Sequence, residues 1–452
     1  MATMENCALL CVWIGAISAN PDLQPRVEVE EVVTSYVPAN NGAGPMWCYG
    51  STTIACRGEE VFVSAIETGK DVPPLCNTRW QLWHRTSAGW KLEHSEKEYR
   101  QREPCPIGIL QNGPLFLSVN PSTQPPGTQY GPCRPLVLEF NPKDLTAAPR
   151  VNEPAWAEGT HFTDHSYRGF AADGPKGELL LLNINAQTGA QFVSFRDREG
   201  KWHARGKIEF PIRSCYPQVA LRNRAAHVMA IGDIIEPKEE WRKYKSEKTG
   251  SKWDYVFRRL FYAYTPDIMD KPFVAPVEIE TVEATCGHIT NLDLHIDEAG
   301  AAHVLYLKRP YQSELIRDKF FPGKPMTAHL EYMIITDGRI ESKTTLAETP
   351  AKDKSGLAPA YGRYHVLPGG ELCVVVAGTM TDEAGKGTFG NYVARIGRMG
   401  DKMTWLLVPL KYPFHSFFTN TPRGGSEPSE LLDLFGTAGD SQNLRYARIR
   451  MR

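Results

Sequence analysis

The feature that most limits what this chain can fold into is a short unit that recurs along it: an apolar run, a turn built on Gly or Asn, and a second apolar run. It occurs at Thr53–Ile66, Ile107–Val119, Gly169–Ile184, Gln218–Gly232, Leu292–Leu307 and Tyr364–Gly378, and more weakly at Leu431–Ile449. In the third copy Leu179–Leu182 is apolar at every position, which suits a strand buried on both faces and is too short for a helix. Asp173-Gly174-Pro175-Lys176-Gly177 supplies its turn. In the fourth copy Asn223 takes the place of Gly, as Asn can in a left-handed position. Turn centres lie roughly 50–75 residues apart, a blade-like spacing.

Most copies are followed by two further strand-like runs, such as Trp80–His84 with Trp90–His94 and Phe192–Arg196 with Trp202–Lys207. The seventh runs out at Arg452 before its outer strand is made. The chain opens on an alternating run, Arg26-Val27-Glu28-Val29-Glu30, that has no hairpin partner nearby. The expectation is an all-β, seven-bladed β-propeller whose ring is closed by the N-terminal strand, with a count of six or eight blades as the main alternative. Residues 21–452 are read as one propeller domain and residues 1–20 as a signal or an N-terminal extension.

Composition agrees with many short strands: the 452 residues include 38 Gly and 34 Pro. A net charge of −1 gives no electrostatic case for nucleic acid or an anionic membrane as partner. The ten cysteines are scattered with no CxxC spacing, which argues against a dense disulfide framework but leaves room for one or two bridges. Cys7–Ile17 is apolar and too short to span a bilayer. It resembles the core of an export signal but lacks a basic lead. Secretion or a periplasmic location follows if it is one, and a cytoplasmic location if it is not. Glu236–Tyr255 interrupts the fourth unit. Pro237 can open a short helix at its first position, and the segment reads either as a solvated loop or as a basic lid (Trp241, Arg242, Lys243, Lys245, Lys248, Lys252).

In a propeller, the loops before each innermost strand and after each second strand emerge on one face. Those positions gather Tyr49, Asn120, His165, Asn185, Tyr216, Asp233, His288, Asn291, Lys308, Arg309, Arg363 and Tyr364, with Arg258 and Arg259 on the same side. Imidazoles, phenols and cations converge there, and paired acids are scarce. A glycosidase that uses two carboxylates is disfavoured. The mixture suits an anionic sugar: in β-elimination beside a uronate, His or Tyr abstracts the C5 proton, a cation or amide neutralises the carboxylate, and Tyr protonates the leaving oxygen. His165, Tyr216 and Asn185 are the candidate catalytic residues. Arg258, Arg259, His288, Asn291, Lys308, Arg309, Arg363 and Tyr364 are the candidate substrate-binding residues. Asn185 has a plainer reading, satisfying loop backbone. Cys286-Gly287-His288, His295 and His303 lack compact metal-ligand spacing, so neither metal nor cofactor is called for, although a structural ion stays open.

His165 before its strand, the Asp173-Gly174 turn, the strand ending Asn183-Ile184-Asn185, and Tyr216-Pro217 opening the next unit resemble the BNR-type seven-bladed propellers that include the ulvan lyases. Phe257–Asp267 is similar to the strand-plus-Asp-turn of BNR repeats. The resemblance implies that His165 and Tyr216 take part in catalysis. The family's second His falls at Asn185 and its Arg near Gly232, which leaves room for a lyase with different charge neutralisation or for a non-catalytic relative. The expected function is a monomeric polysaccharide lyase acting beside a uronic acid in an acidic polysaccharide or its oligosaccharides. The alternatives are a sialidase-like hydrolase and a glycan-binding propeller without turnover.

Overall fold

The computed structural model describes residues 22–452 apart from 48–49, 252–253, 353, 398–400 and 440–441. The apolar stretch at 7–17, Tyr49 and Lys252 therefore lie outside the described residues. Seven four-stranded antiparallel sheets form the ring. The innermost strands of blades one to seven are Ile54–Arg57, Ile107–Ile109, Gly169–Asp173, Ser214–Arg222, His288–Ile296, Gly356–Val366 and Phe414–Thr419. Second strands are buried on both faces because neighbouring blades cover both. Every residue of Glu178–Ile184 is buried, whereas the outermost strand of that blade, Trp202–Ile208, is half-buried or exposed at all but its last residue.

Blade seven closes the ring. Arg26–Ser35 pairs antiparallel with Asn443–Arg450, from Arg26 opposite Arg450 to Ser35 opposite Asn443. The N-terminal strand thus occupies an edge that would otherwise offer unpaired backbone. One detail differs from the sequence expectation. The hairpin at Leu431–Ile449 supplies the second and third strands of this blade, and Phe414–Thr419, unrecognised in the sequence, is its innermost strand.

The link between the first two strands of blade seven enters the channel from the face opposite the loops discussed above. Ala172 N–H donates to the Arg423 carbonyl over 2.8 Å, and Ile109 N–H donates to that of Gly424 over 2.9 Å. Gly425, with φ +87°, comes so close that a Cβ would lie 1.8 Å from the Ile109 carbonyl oxygen. Arg423 Nε then reaches Asp293 Oδ1 over 2.9 Å in the closed centre.

Two insertions stand on the mouth face, each after a second strand. In blade four, helix α1 (Glu239–Thr249) ends on Gly250 with φ 69°. Pro237 precedes the N-cap residue Lys238 rather than occupying the first helical position, because the short pairing of Ile234–Ile235 with Tyr255–Val256 comes first. In blade five, helix α2 (Glu314–Phe320) is capped by Ser313. Trp241 joins them, with its ring 6.1 Å from Phe320 and 5.9 Å from Phe321. Buried in that contact, Trp241 makes the insertion an anchored cap on blades four and five.

Candidate functional site

The mouth is built by the segments that enter the innermost strands of blades three, four and five. Tyr167 lies just before Gly169–Asp173. Tyr216 sits at a bulge in Ser214–Arg222, where pairing with the second strand shifts between Cys215 and Gln218. Both tyrosines have positive φ, 38° and 48°. Bulky L-residues avoid that region, so two of them at neighbouring blade entrances are held there by their surroundings. Asn291 is one such holder, its Nδ2 donating to the Tyr216 carbonyl over 2.7 Å.

The rings meet. Tyr167 and Tyr216 pack edge to face with centroids 5.0 Å apart, and His165 lies 6.2 Å from Tyr167. Trp47 and Phe257 flank Tyr216 at 5.5 and 6.0 Å, and His288 lies 5.6 Å from Phe257. A continuous row of rings therefore runs from His165 through Tyr167, Tyr216 and Phe257 to His288. The cavity bordered by Trp47, Gly50, Tyr167 and Tyr216 holds only about 10 Å³. The row is thus a shallow floor rather than the wall of a deep pocket.

Charged groups flank this floor. Nδ1 of His165 lies 2.7 Å from Oδ2 of Asp164, and the imidazole is 40% exposed while the carboxylate is 4% exposed. Arg213 lies 5.4 Å over the Tyr167 ring and pairs with buried Asp233. Arg309 faces His288 across the strand pair, and burial lowers its pKa with no carboxylate among the described residues to offset it. Burial raises the phenols of Tyr167 and Tyr216 well above their ordinary range, so both are proton donors at neutral pH. Burial, then the Arg309 and Arg258 guanidinium groups, pulls His288 down to about 4 and keeps its ring neutral.

The other positions singled out from the sequence do different work. Asn185 is buried. Its Nδ2 donates to the Gly159 carbonyl over 2.9 Å, and its Oδ1 accepts from Gln187 and Thr188 N–H over 2.9 and 3.1 Å, the plainer of its two readings. Arg258 is 3% exposed, pairs through both guanidinium nitrogens with Glu236, and lies 5.1 Å over Trp241. Arg259 points the other way and reaches Glu278 over 2.5 Å. Lys308 bridges Glu331 at 3.0 Å and Glu280 at 3.4 Å. Arg363 and Tyr364 are not at the rim. Their strand begins at Gly356, several residues before the apolar unit read in the sequence, and both side chains are buried mid-strand. Gly232 leaves no room for a side chain without displacing Ile212, whose Cδ1 lies 2.5 Å from the place of a Cβ. Asn120 donates to the Thr163 carbonyl over 2.9 Å and thereby ties blade two to the segment that carries His165.

Of the mouth residues, Trp47, Asp164 and Arg213 were not singled out in the sequence, and Phe257 entered only as the first residue of the Phe257–Asp267 segment. Position was the available clue, since each lies within three residues of Tyr49, His165, Tyr216 or Arg258. Among the described residues no three His, Cys, Asp or Glu side chains are grouped to hold a metal ion, and no helix is long and apolar enough to cross a membrane. All seven described cysteines are free and buried.

No protein-family model matches this sequence, and no curated protein is similar to it. Among solved structures, the polysaccharide lyase Uly1 is similar at 12% identity with a TM-score of 0.54, over 94% of this chain and 99% of that one. An ulvan lyase of family PL25, at 12% identity and TM-score 0.42, matches 75% of this chain and 80% of its own. The α-L-arabinanase of Penicillium chrysogenum, at 12% identity and TM-score 0.42, matches 76% and 91%. The likeness to Uly1 shows a shared fold; the two shallower ones carry no argument.

Proposed function

We propose that the protein is a polysaccharide lyase that cleaves beside a uronic acid by β-elimination, with the ring floor of the mouth as its active site. The observation that carries this is the contact of both His165 and Tyr216 with one side chain, Tyr167. An imidazole and a phenol from separate blades are thereby set on one surface. Nδ1 of His165 lies 2.7 Å from Oδ2 of Asp164, and Nε2 is the nitrogen we assign to take the C5 proton. The electron pair of that C–H bond becomes the C4–C5 double bond as the C4–O bond breaks. Tyr216 gives its proton to the departing oxygen. Because burial disfavours the phenolate, the proton leaves only as the alkoxide forms. Arg213, 5.4 Å over Tyr167 and 36% exposed, uses Nη1 on Asp233 and is assigned to hydrogen-bond the substrate carboxylate through its remaining N–H groups.

Hydrolysis is the poorer reading. It needs two carboxyl groups free to flank the bond, whereas Asp164 and Asp233, each 4% exposed, already face His165 and Arg213, and Glu103, which lines the small cavity at the tyrosines, is buried and takes the Ser166 hydroxyl and Arg102. The fold accommodates the lyase reading, since Uly1, which shares it, is a polysaccharide lyase. The test is to incubate the protein with polygalacturonate, alginate and glucuronate-containing polysaccharides and to follow ultraviolet absorbance of the unsaturated product. The signal is expected with at least one polymer and lost in His165→Ala and Tyr216→Phe. Saturated reducing ends without that absorbance would make the protein a hydrolase and end this proposal.

A further inference from the structure

We infer that the recess beside Trp156 is a second sugar-binding subsite, which takes a pyranose unit of the same acidic chain some way from the bond cleaved at the mouth. It rests on the reading of the mouth as a glycan site. The recess encloses about 320 Å³, within the range of about 300–1,000 Å³ typical of small-ligand clefts. Prolines 132, 135 and 154 form stiff walls. Trp156, His161, Arg134 and Glu153 supply the chemistry.

Trp156 is half-buried and clamped. Its ring meets Phe162 edge to face at 4.9 Å and packs on the small cluster of Phe162, Ala190 and Phe192. Its indole N–H has no partner among the described residues. A fixed aromatic face with a free donor suits the apolar face and hydroxyl edge of a sugar ring. Arg134 and Glu153 pair at 2.5 Å, yet remain 58% and 63% exposed, so both keep hydrogen-bonding capacity toward hydroxyls or a carboxylate.

The recess is tied to the mouth by the chain itself. His161 is four residues from His165, and four fully extended residues span at most about 14 Å. That segment is pinned on three sides. Cys133 N–H donates to the Phe162 carbonyl over 2.9 Å, Ala186 N–H to that of His161 over 3.0 Å, and Asn120 Nδ2 to that of Thr163 over 2.9 Å. The spacing between recess and ring floor is therefore fixed, and a single extended glycan reaches both.

The experiment compares binding of polygalacturonate, alginate and a glucuronate-containing polysaccharide by the full chain and by Trp156→Ala and Arg134→Ala, read by calorimetric titration, with thermal melts as the folding control. Tenfold or weaker binding by either variant, with an unchanged melt, is the expected result. Arg134, being exposed, keeps the test sound should Trp156→Ala unfold. Unchanged affinity in both variants while the parent eliminates normally overturns the subsite alone. Weakened binding with no elimination product from the parent upholds the subsite and removes the lyase reading. Absence of binding to every polymer overturns both.

Discussion

At the centre of the ring, Asp293 is 1% exposed and takes Arg423 at 2.9 Å and Arg363 at 3.9 Å, while its Oδ2 accepts the Tyr364 N–H over 2.9 Å. At the mouth, His165 keeps 40% of its side chain in solvent beside its own carboxylate, and two tyrosines are held at positive φ. Both places use Arg, Tyr and Asp. In the channel these charged groups are spent on one another, which is what burial demands of charge. At the mouth, His165 remains accessible and the backbone of two tyrosines is strained, the condition in which a site is open to a ligand. Residue type does not separate the two regions; burial and pairing do.

That difference is measurable. The largest effect is expected from Tyr216→Phe, which removes one proton and little volume. Turnover on a cleaved polymer should fall by about 10²–10⁴-fold while the thermal melt stays close to the parent's. A variant that melts early and cleaves normally would move Tyr216 into the structural class. Arg423→Ala should do the opposite. It leaves Asp293 buried with its nearest cation gone, at about 3–5 kcal/mol in denaturant titration. A small loss there would mean that the channel charges are hydrated in solution.

Acid should separate the regions next. Burial, the largest cause in each case, holds His227, His288, His295 and His365 at about 4. Their unfolded value is about 6.5. These rings are neutral when folded and bind protons on unfolding, so their contribution is complete above about pH 6.5 and is lost as pH falls toward 4. Glu96, raised by burial to about 7, opposes this, since its contribution is lost as pH rises from about 4.5 to 7. Urea titrations at pH 7, 6 and 5 should show net loss toward acid, four groups outweighing one, and a flat series would contradict it. The smallest effect is expected from Asn185→Ala. It strips two loop N–H groups of their acceptor for about 1–3 kcal/mol and leaves turnover per folded molecule intact. Lost turnover with full stability would return Asn185 to the mouth.

The architecture was legible because it rests on local pattern. Leu179–Leu182 is apolar throughout, since a second strand lies between two blades, and Arg26–Glu30 alternates, since an outermost strand has one wet face. Phe414–Thr419 was missed because its partner strand starts only at Leu431, the link between them being the segment that fills the channel rather than a short hairpin turn. The site was legible in part. His165 and Tyr216 were named from their place before and within innermost strands. Arg363 was named on the same grounds, and Arg258 for entering a third strand on the same face; they prove to be buried partners of Asp293 and Glu236.

The sequence by itself determined that this chain forms short sheets in a ring and which loops share a face, because strand period and turn chemistry act over a few residues. Only the tertiary structure decided which polar side chains on that face stay available. Pairing and desolvation depend on partners tens or hundreds of positions away, as Arg423 depends on Asp293, and no local pattern records them.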